Sequence, residues 1–179
     1  MAKLQIRHAK QDDLEKMISI DHHSEGAFAY KLEVTKDKTS QTNTIQRVKL
    51  PRTVTVSYPK DEETLLKSWS KSEAVMVGCL MDEPIAYVSM EATSLPRTAR
   101  ICDLAVEKNL RRKGIGTNML GACEAWARER KAGRLLIELQ MRNDPAISLV
   151  KKSGFELCGY LDRYFANGDT ALFFEKRLL

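Results

Sequence analysis

Arg111-Arg112-Lys113 runs directly into Gly114-Ile115-Gly116-Thr117, a set of cations and glycines suited to holding a phosphorylated ligand. Glycine at 114 and 116 lets the backbone approach a ligand without interference from a Cβ. An apolar strand at residues 101–106 precedes the loop and an amphipathic stretch at 115–131 follows it. The loop therefore opens a helix, whose first free N–H groups and positive dipole end meet there. A Walker loop needs Gly-Lys-Ser/Thr and a dinucleotide fingerprint needs a third glycine, so both are excluded. The pattern present is R-x-x-G-x-G, formed by Arg111, Gly114 and Gly116. A basic helix start behind a glycine turn is the other reading of the same residues.

Carboxylates within apolar strands are the second chemical signal. Glu138 stands alone in Leu135-Leu136-Ile137-Glu138-Leu139, where burial would raise its pKa toward the range of a general base. Its alternative role is a strand residue at a solvated edge or beside a lysine. Glu91, in Val88-Ser89-Met90-Glu91-Ala92, is the substitute base or an amine-binding carboxylate.

These groups must be positioned by one domain spanning 1–179, with a core region at about 73–178 and a variable segment at about 24–70. Leu4, Ile6 and His8 alternate as a strand, and residues 11–20 change to helical spacing with Asp12 or Asp13 as cap. Thr39-Ser40-Gln41-Thr42-Asn43 reads as a loop. Residues 44–58 are β-branched and broken at Leu50-Pro51, which predicts a hairpin or a bent strand. Residues 62–69 add a short helical turn.

From residue 74 the signals sharpen. Residues 74–81 form a buried strand, Asp82-Glu83-Pro84 a turn and 85–92 the partner strand. After strand 101–106 and helix 115–131, Gly133 suits a C-cap, and residues 135–141 form the next strand. A helix at about 145–153 starts behind Asn143-Asp144 with a proline in its first turn and ends at Gly154. Strands at 155–161 and 171–177 flank Asn167-Gly168-Asp169. The order is β-α, then β-β-β-α-β-α-β-β.

Composition narrows the class. The chain is 43% hydrophobic and 30% charged, as in soluble globular proteins, and has no apolar run near the roughly 18 residues of a membrane span. The N-terminus shows no signal-peptide h-region. Cys79, Cys102, Cys123 and Cys158 form no C-x-x-C pair, so no metal site is expected, and buried reduced thiols fit a cytoplasmic location. The net charge of +5 is scattered along the chain, with no nucleic-acid-binding signature beside it. No nucleic-acid or membrane partner is expected, and the chain would act as a monomer or homodimer.

The R-x-x-G-x-G loop behind strand 101–106 resembles motif A of the GNAT superfamily of N-acetyltransferases. The element order over residues 73–178 is similar to its fold, an α/β (α+β) domain. That resemblance implies a mixed, mostly antiparallel central sheet of about seven strands flanked by about four helices. It also implies acetyl-CoA as cosubstrate. Arg111, Arg112, Lys113, Gly114, Ile115, Gly116 and Thr117 would hold the pyrophosphate, while Leu104, Ala105 and Val106 would pair with the pantetheine arm.

Glu138 and Asn143 resemble the E-x-x-x-x-N arrangement of ribosomal-protein N-terminal acetyltransferases. In that arrangement the glutamate takes the amine proton, directly or through water, and the asparagine contacts the cofactor. Tyr164-Phe165 resembles the aromatic pair that frames their acceptor. Leu50-Pro51-Arg52 with the Glu138 strand is also similar to streptothricin acetyltransferases, so a protein N-terminus and a small amine both fit as acceptor. Three positions depart from the pattern: Arg100 and Cys102 replace inward bases of several relatives, and Val150 replaces the proton-donating tyrosine, so that either Tyr160 or Tyr164 would compensate or the thiolate would leave with help from solvent. The implied activity is direct acetyl transfer in a ternary complex; a non-catalytic or regulatory CoA-binding module is the alternative.

Overall fold

The computed structural model describes residues 3–178. Its strands are β1 (Gln5–His8), β2 (Ser24–Lys36), β3 (Gln41–Val56), β4 (Ala74–Leu80), β5 (Glu83–Ala92), β6 (Thr98–Val106), β7 (Arg134–Gln140), β8 (Glu156–Leu161) and β9 (Ala171–Arg177). Its helices are α1 (Leu14–Ser19), α2 (Glu62–Lys71), α3 (Ile115–Glu129) and α4 (Asp144–Lys152). Seven strands form one sheet in the order β1-β4-β5-β6-β7-β9-β8, while β2 and β3 pair as a separate ribbon. Within the large sheet only β6 and β7 run parallel. The expected fold, a mostly antiparallel seven-stranded sheet with four helices, is the one observed.

Alternation along the strands sends side chains to two cores. Ala86 and Val88 of β5 join Ile101, Ile137 and Phe174 in packing against Met119, Cys123 and Trp126 of α3. Tyr87, between them in sequence, joins Val77, Ala105 and the other cluster, which contains Met17 of α1 and Leu65 and Trp69 of α2. Trp69 meets Tyr87 edge-on, with ring centroids 4.9 Å apart. Helices therefore cover both faces, as a sheet this apolar requires.

Two local expectations change and a third is resolved. The loop after β2 is confined to residues 37–40, because the Asp37 carboxylate accepts bonds from the Thr39 and Ser40 N–H groups and closes a tight turn. Gln41, Thr42 and Asn43 already belong to β3. Of the hairpin and the bent strand that Leu50-Pro51 allowed, the bent strand is the one formed: the pair falls where the register jumps from Phe28–Lys49 to Gly26–Val54, and proline is tolerated in such a bulge. Between β4 and β5 the turn is Met81-Asp82, both left-handed, at φ 49° and 65°. Pro84 lies inside β5, next to a register shift and beyond the last β6 partner.

Asp13 makes no side-chain cap bond to α1; its carboxylate accepts from the Lys10 N–H at 2.7 Å, closing the start of the 3-10 turn Gln11–Asp13, and pairs with Arg7 at 2.6 Å. The Asn143 cap follows the sequence logic, and α2 has a side-chain cap that the sequence reading did not name. The Asp61 side chain accepts from Thr64 N–H at the start of α2, and that of Asn143 accepts from Ala146 N–H at the start of α4.

Candidate active site

Strands β6 and β7 pair only through residues 98–101 and 134–137, and then part. The cause is local: between Ser89–Asp103 and Met90–Ile101 the β5–β6 register shifts, leaving Cys102 as an extra residue. Such a bulge bends and twists its strand. β6 follows β5 away while β7 continues beside β9. The gap holds a cleft of about 350 Å³, walled by Leu104, Ala105 and Val106 on one side and by Asn143, Ala146 and Leu149 on the other.

Gly114, Gly116 and Thr117 line the α3 end of this cleft. Gly114 takes φ +82° as the N-cap, with nothing within 4 Å of where a Cβ would sit. Arg112 is also left-handed at φ 66°, and successive N–H groups in such a turn converge on an anion. The first helical bond runs from Asn118 to Gly114, so the N–H groups of Ile115, Gly116 and Thr117 are the free ones of the helix start. Gly116 serves packing as well, because a Cβ there would lie 2.9 Å from Leu149 Cδ2 of α4.

Arg111 has a different employment from its two neighbours. Its Nε donates to Val106 O at 2.9 Å and its Nη1 to His23 O at 2.7 Å, while Nη2 donates to Asp21 O. It bolts the end of β6 to residues 21–23 and so shapes the cleft wall. Arg112 and Lys113 remain the exposed cations beside the loop. Asn143 spends its side-chain oxygen on capping α4, and its amide NH₂ makes no bond among the described residues.

Glu138 sits one residue past the last β6–β7 pair, with its side chain 16% exposed. Its Oε1 accepts from the Tyr164 hydroxyl at 3.2 Å and lies 3.5 Å from Arg100 Nη1. Burial pushes its pKa above the usual carboxylate range, with Arg100 pulling the other way. Glu91 is drawn to the opposite side of Arg100, accepting from Nη2 at 2.6 Å. Tyr164 leans edge-on against Phe165 and Phe173. Its loop is tied to the end of β7 through Asp169, which accepts from Gln140 and Arg142. The structure thus gathers Glu91, Glu138 and Tyr164 around Arg100 and gathers the glycine loop, residues 104–106 and Asn143 around the cleft.

Of the three departures from the pattern, Arg100 is the charged centre of this cluster, while the other two are neutral. Val150 is 1% exposed within the core and lines no part of the cleft. Burial pushes the Cys102 thiol up to about 12, so it stays protonated at neutral pH.

Sequence reasoning overlooked Asp103 and His22. Asp103, 2% exposed, accepts from Tyr58 (2.5 Å), Lys60 (2.7 Å), Ser68 (2.9 Å) and Ser89 (2.9 Å). A lone carboxylate in an apolar strand was the available signal, as for Glu138. His22 lines the cleft, with Nε2 2.7 Å from the Tyr87 hydroxyl, and burial lowers its pKa, so it is neutral near pH 7. Asp103→Ala is expected to destabilise the protein by about 3–5 kcal/mol, because Lys60 is left without its buried partner. The midpoint of urea unfolding measures this; an unchanged midpoint would show that the network is dispensable.

Among the described residues no group of three or more His, Cys, Asp or Glu is placed to hold a metal ion, and no helix is long and apolar enough to cross a membrane.

Known proteins share this architecture. An N-alpha-acetyltransferase of Sulfurisphaera tokodaii is 35% identical over 79 residues, covering 44% of this chain and 47% of the relative. The chain thus spans about half the length of the curated relatives it matches. The crystal structure of a nourseothricin acetyltransferase superposes with a TM-score of 0.84 at 22% identity, covering 98% of this chain and 99% of that one. A Bacillus anthracis structure solved in complex with acetyl coenzyme A gives 0.74 at 19% identity, covering 98% of each chain. At these identities the two structures speak for the fold. The model of the Acetyltransferase (GNAT) family matches residues 43–155, and this chain belongs to that family.

Proposed function

We propose that this protein is an acetyl-CoA-dependent N-acetyltransferase that acetylates a primary amine, of a protein N-terminus or a small molecule, by direct transfer in a ternary complex. The observation that carries this reading is the parting of β6 from β7. It opens a cleft with an anion cradle at its α3 end, and just past the point of divergence, outside the cleft lining, stands Glu138, a largely buried carboxylate whose pKa burial raises.

In this reading the N–H groups of Ile115, Gly116 and Thr117, with Arg112 and Lys113, hold the pyrophosphate. Leu104, Ala105 and Val106 offer their β7-facing backbone edge to the amides of the pantetheine arm, as a sheet edge accepts a strand. Asn143 adds its free NH₂, and acetyl-CoA supplies the activated thioester. Glu138 takes a proton from the amine, which attacks the acetyl carbonyl; a backbone N–H at the β6 bulge stabilises the oxyanion. The thiolate departs and takes its proton from solvent or from Tyr164. Glu91, Arg100 and Glu138 together carry one net negative charge, which favours an acceptor arriving as an ammonium ion. Four free cysteines among the described residues fit a cytoplasmic setting.

Mass spectrometry after incubation with acetyl-CoA and a broad mixture of amines and peptides tests the proposal. An acetylated primary amine is expected, with thioester consumed only when that acceptor is present. Tight acetyl-CoA binding with no acetylated product would favour the non-catalytic module instead.

A further inference from the structure

Two buried polar atoms on the acceptor side lack partners among the described residues: Arg100 Nε and Glu138 Oε2. They belong to the same ion pair. Arg100 holds Glu91 tightly, at 2.6 Å, and Glu138 loosely, at 3.5 Å, so one guanidinium is divided between two carboxylates. A carboxylate this buried favours its neutral form unless a cation offsets the loss of water.

The other charges around Glu138 are already engaged. On β6, Asp103 has four donors of its own and Cys102 is a neutral thiol. Lys60, ahead of α2, is committed to Asp103 at 2.7 Å. Tyr164, from the β8–β9 connection, is a neutral donor to Oε1, and its own pKa is raised, chiefly by burial. Glu91 on β5 acts on Glu138 through Arg100. Among the described residues Arg100 is thus the cation whose placement decides the state of Glu138.

We propose that Arg100 is a positioning residue for the base: shared between Glu91 and Glu138, it keeps Glu138 ionised and oriented, while Glu91 limits how firmly it does so. The purpose of this device rests on the acetyltransferase reading. The device itself is measurable without turnover.

The test is an NMR titration of the intact protein labelled with carbon-13 at the glutamate side-chain carboxyl, the Glu138 signal being identified by its loss in Glu138→Gln. Arg100→Gln is expected to raise the Glu138 midpoint by about one pH unit or more, the usual influence of an opposite charge at this range. Arg100→Lys should restore much of the difference. Glu91→Gln should lower the midpoint, because it releases Arg100 toward Glu138 and removes a negative charge. General loosening of the site would not displace the midpoint in opposite directions.

Coincident midpoints in the wild type, Arg100→Gln and Glu91→Gln would overturn the proposal. If Arg100→Gln does not fold, Glu91→Gln decides it, and a midpoint that fails to fall counts against it. Full acetyl transfer by Glu138→Gln would instead sink the assignment of the base and leave the titration result standing.

Discussion

Glu138→Gln is expected to reduce acetyl transfer by about 10²–10⁴-fold, the usual contribution of a positioned general base, while acetyl-CoA affinity stays close to that of the wild type. Glutamine keeps the shape of the side chain and can still accept from the Tyr164 hydroxyl, but cannot take up the amine proton. Steady-state turnover and calorimetric cofactor binding, measured on the same sample, separate the two effects. Undiminished turnover would move the base to Glu91 or to water.

The pH dependence has a definite sign. Burial raises the Glu138 pKa in the folded state, so activity that needs the carboxylate should rise with pH through a value above the ordinary carboxylate range. For stability the direction reverses: a group whose folded pKa is raised favours folding below its unfolded pKa, and that benefit is lost as pH rises through the folded value. Glutamine mimics the protonated form. Glu138→Gln should therefore be at least as stable as wild type at neutral pH, the gap closing as pH falls.

Gly114→Asp is expected to weaken acetyl-CoA binding by about 100-fold or more, since two like charges some 4 Å apart repel strongly near a protein surface. A protein-side clash cannot explain such a loss, because nothing lies within 4 Å of the added Cβ. The backbone at φ +82° adds strain of about 1–3 kcal/mol for a residue other than glycine, a burden aspartate carries better than most. Isothermal titration on protein shown to be folded by circular dichroism measures the effect. Gly114→Ala is the control, carrying the strain without the charge. Equal affinity in the aspartate variant and the wild type would remove the pyrophosphate from this loop.

The sheet from β4 to β9 was legible because its strands are apolar runs separated by turn residues, and because helix spacing in α3 and α4 is bounded by Gly114, Asn143 and Gly154. The β2–β3 ribbon was not. Much of it is exposed, and its lysines and threonines follow pairing between two strands instead of burial against a core. Gln41, Thr42 and Asn43 therefore read as loop, and Pro51 left a hairpin and a bent strand undecided.

The site shows the same division. Glu138 stood out as a charge within an apolar strand. Asp103 carried the same mark, but its donors come from four places in the chain, 14 to 45 residues away. Arg111 looked like a charge for an anion, yet its partners include carbonyls about 90 residues upstream. Local charge does not disclose such distant acceptors.

Four residue pairs, at 98–101 and 134–137, carry the backbone contact between the two halves of the main sheet. Beyond them the halves are held by α3, which packs on β5, β6 and β7, and by the contact between Arg100 of β6 and Glu138 of β7. In the proposed reading a ligand lying in the gap would complete the missing rungs and make folding and occupancy one equilibrium. At a concentration one hundred times its dissociation constant it adds about 2.7 kcal/mol to the native state, a sizeable part of what a domain of this kind possesses. The quantity of intact protein would then follow the supply of its ligand: scarcity would expose the chain to unfolding and degradation as well as leave it idle.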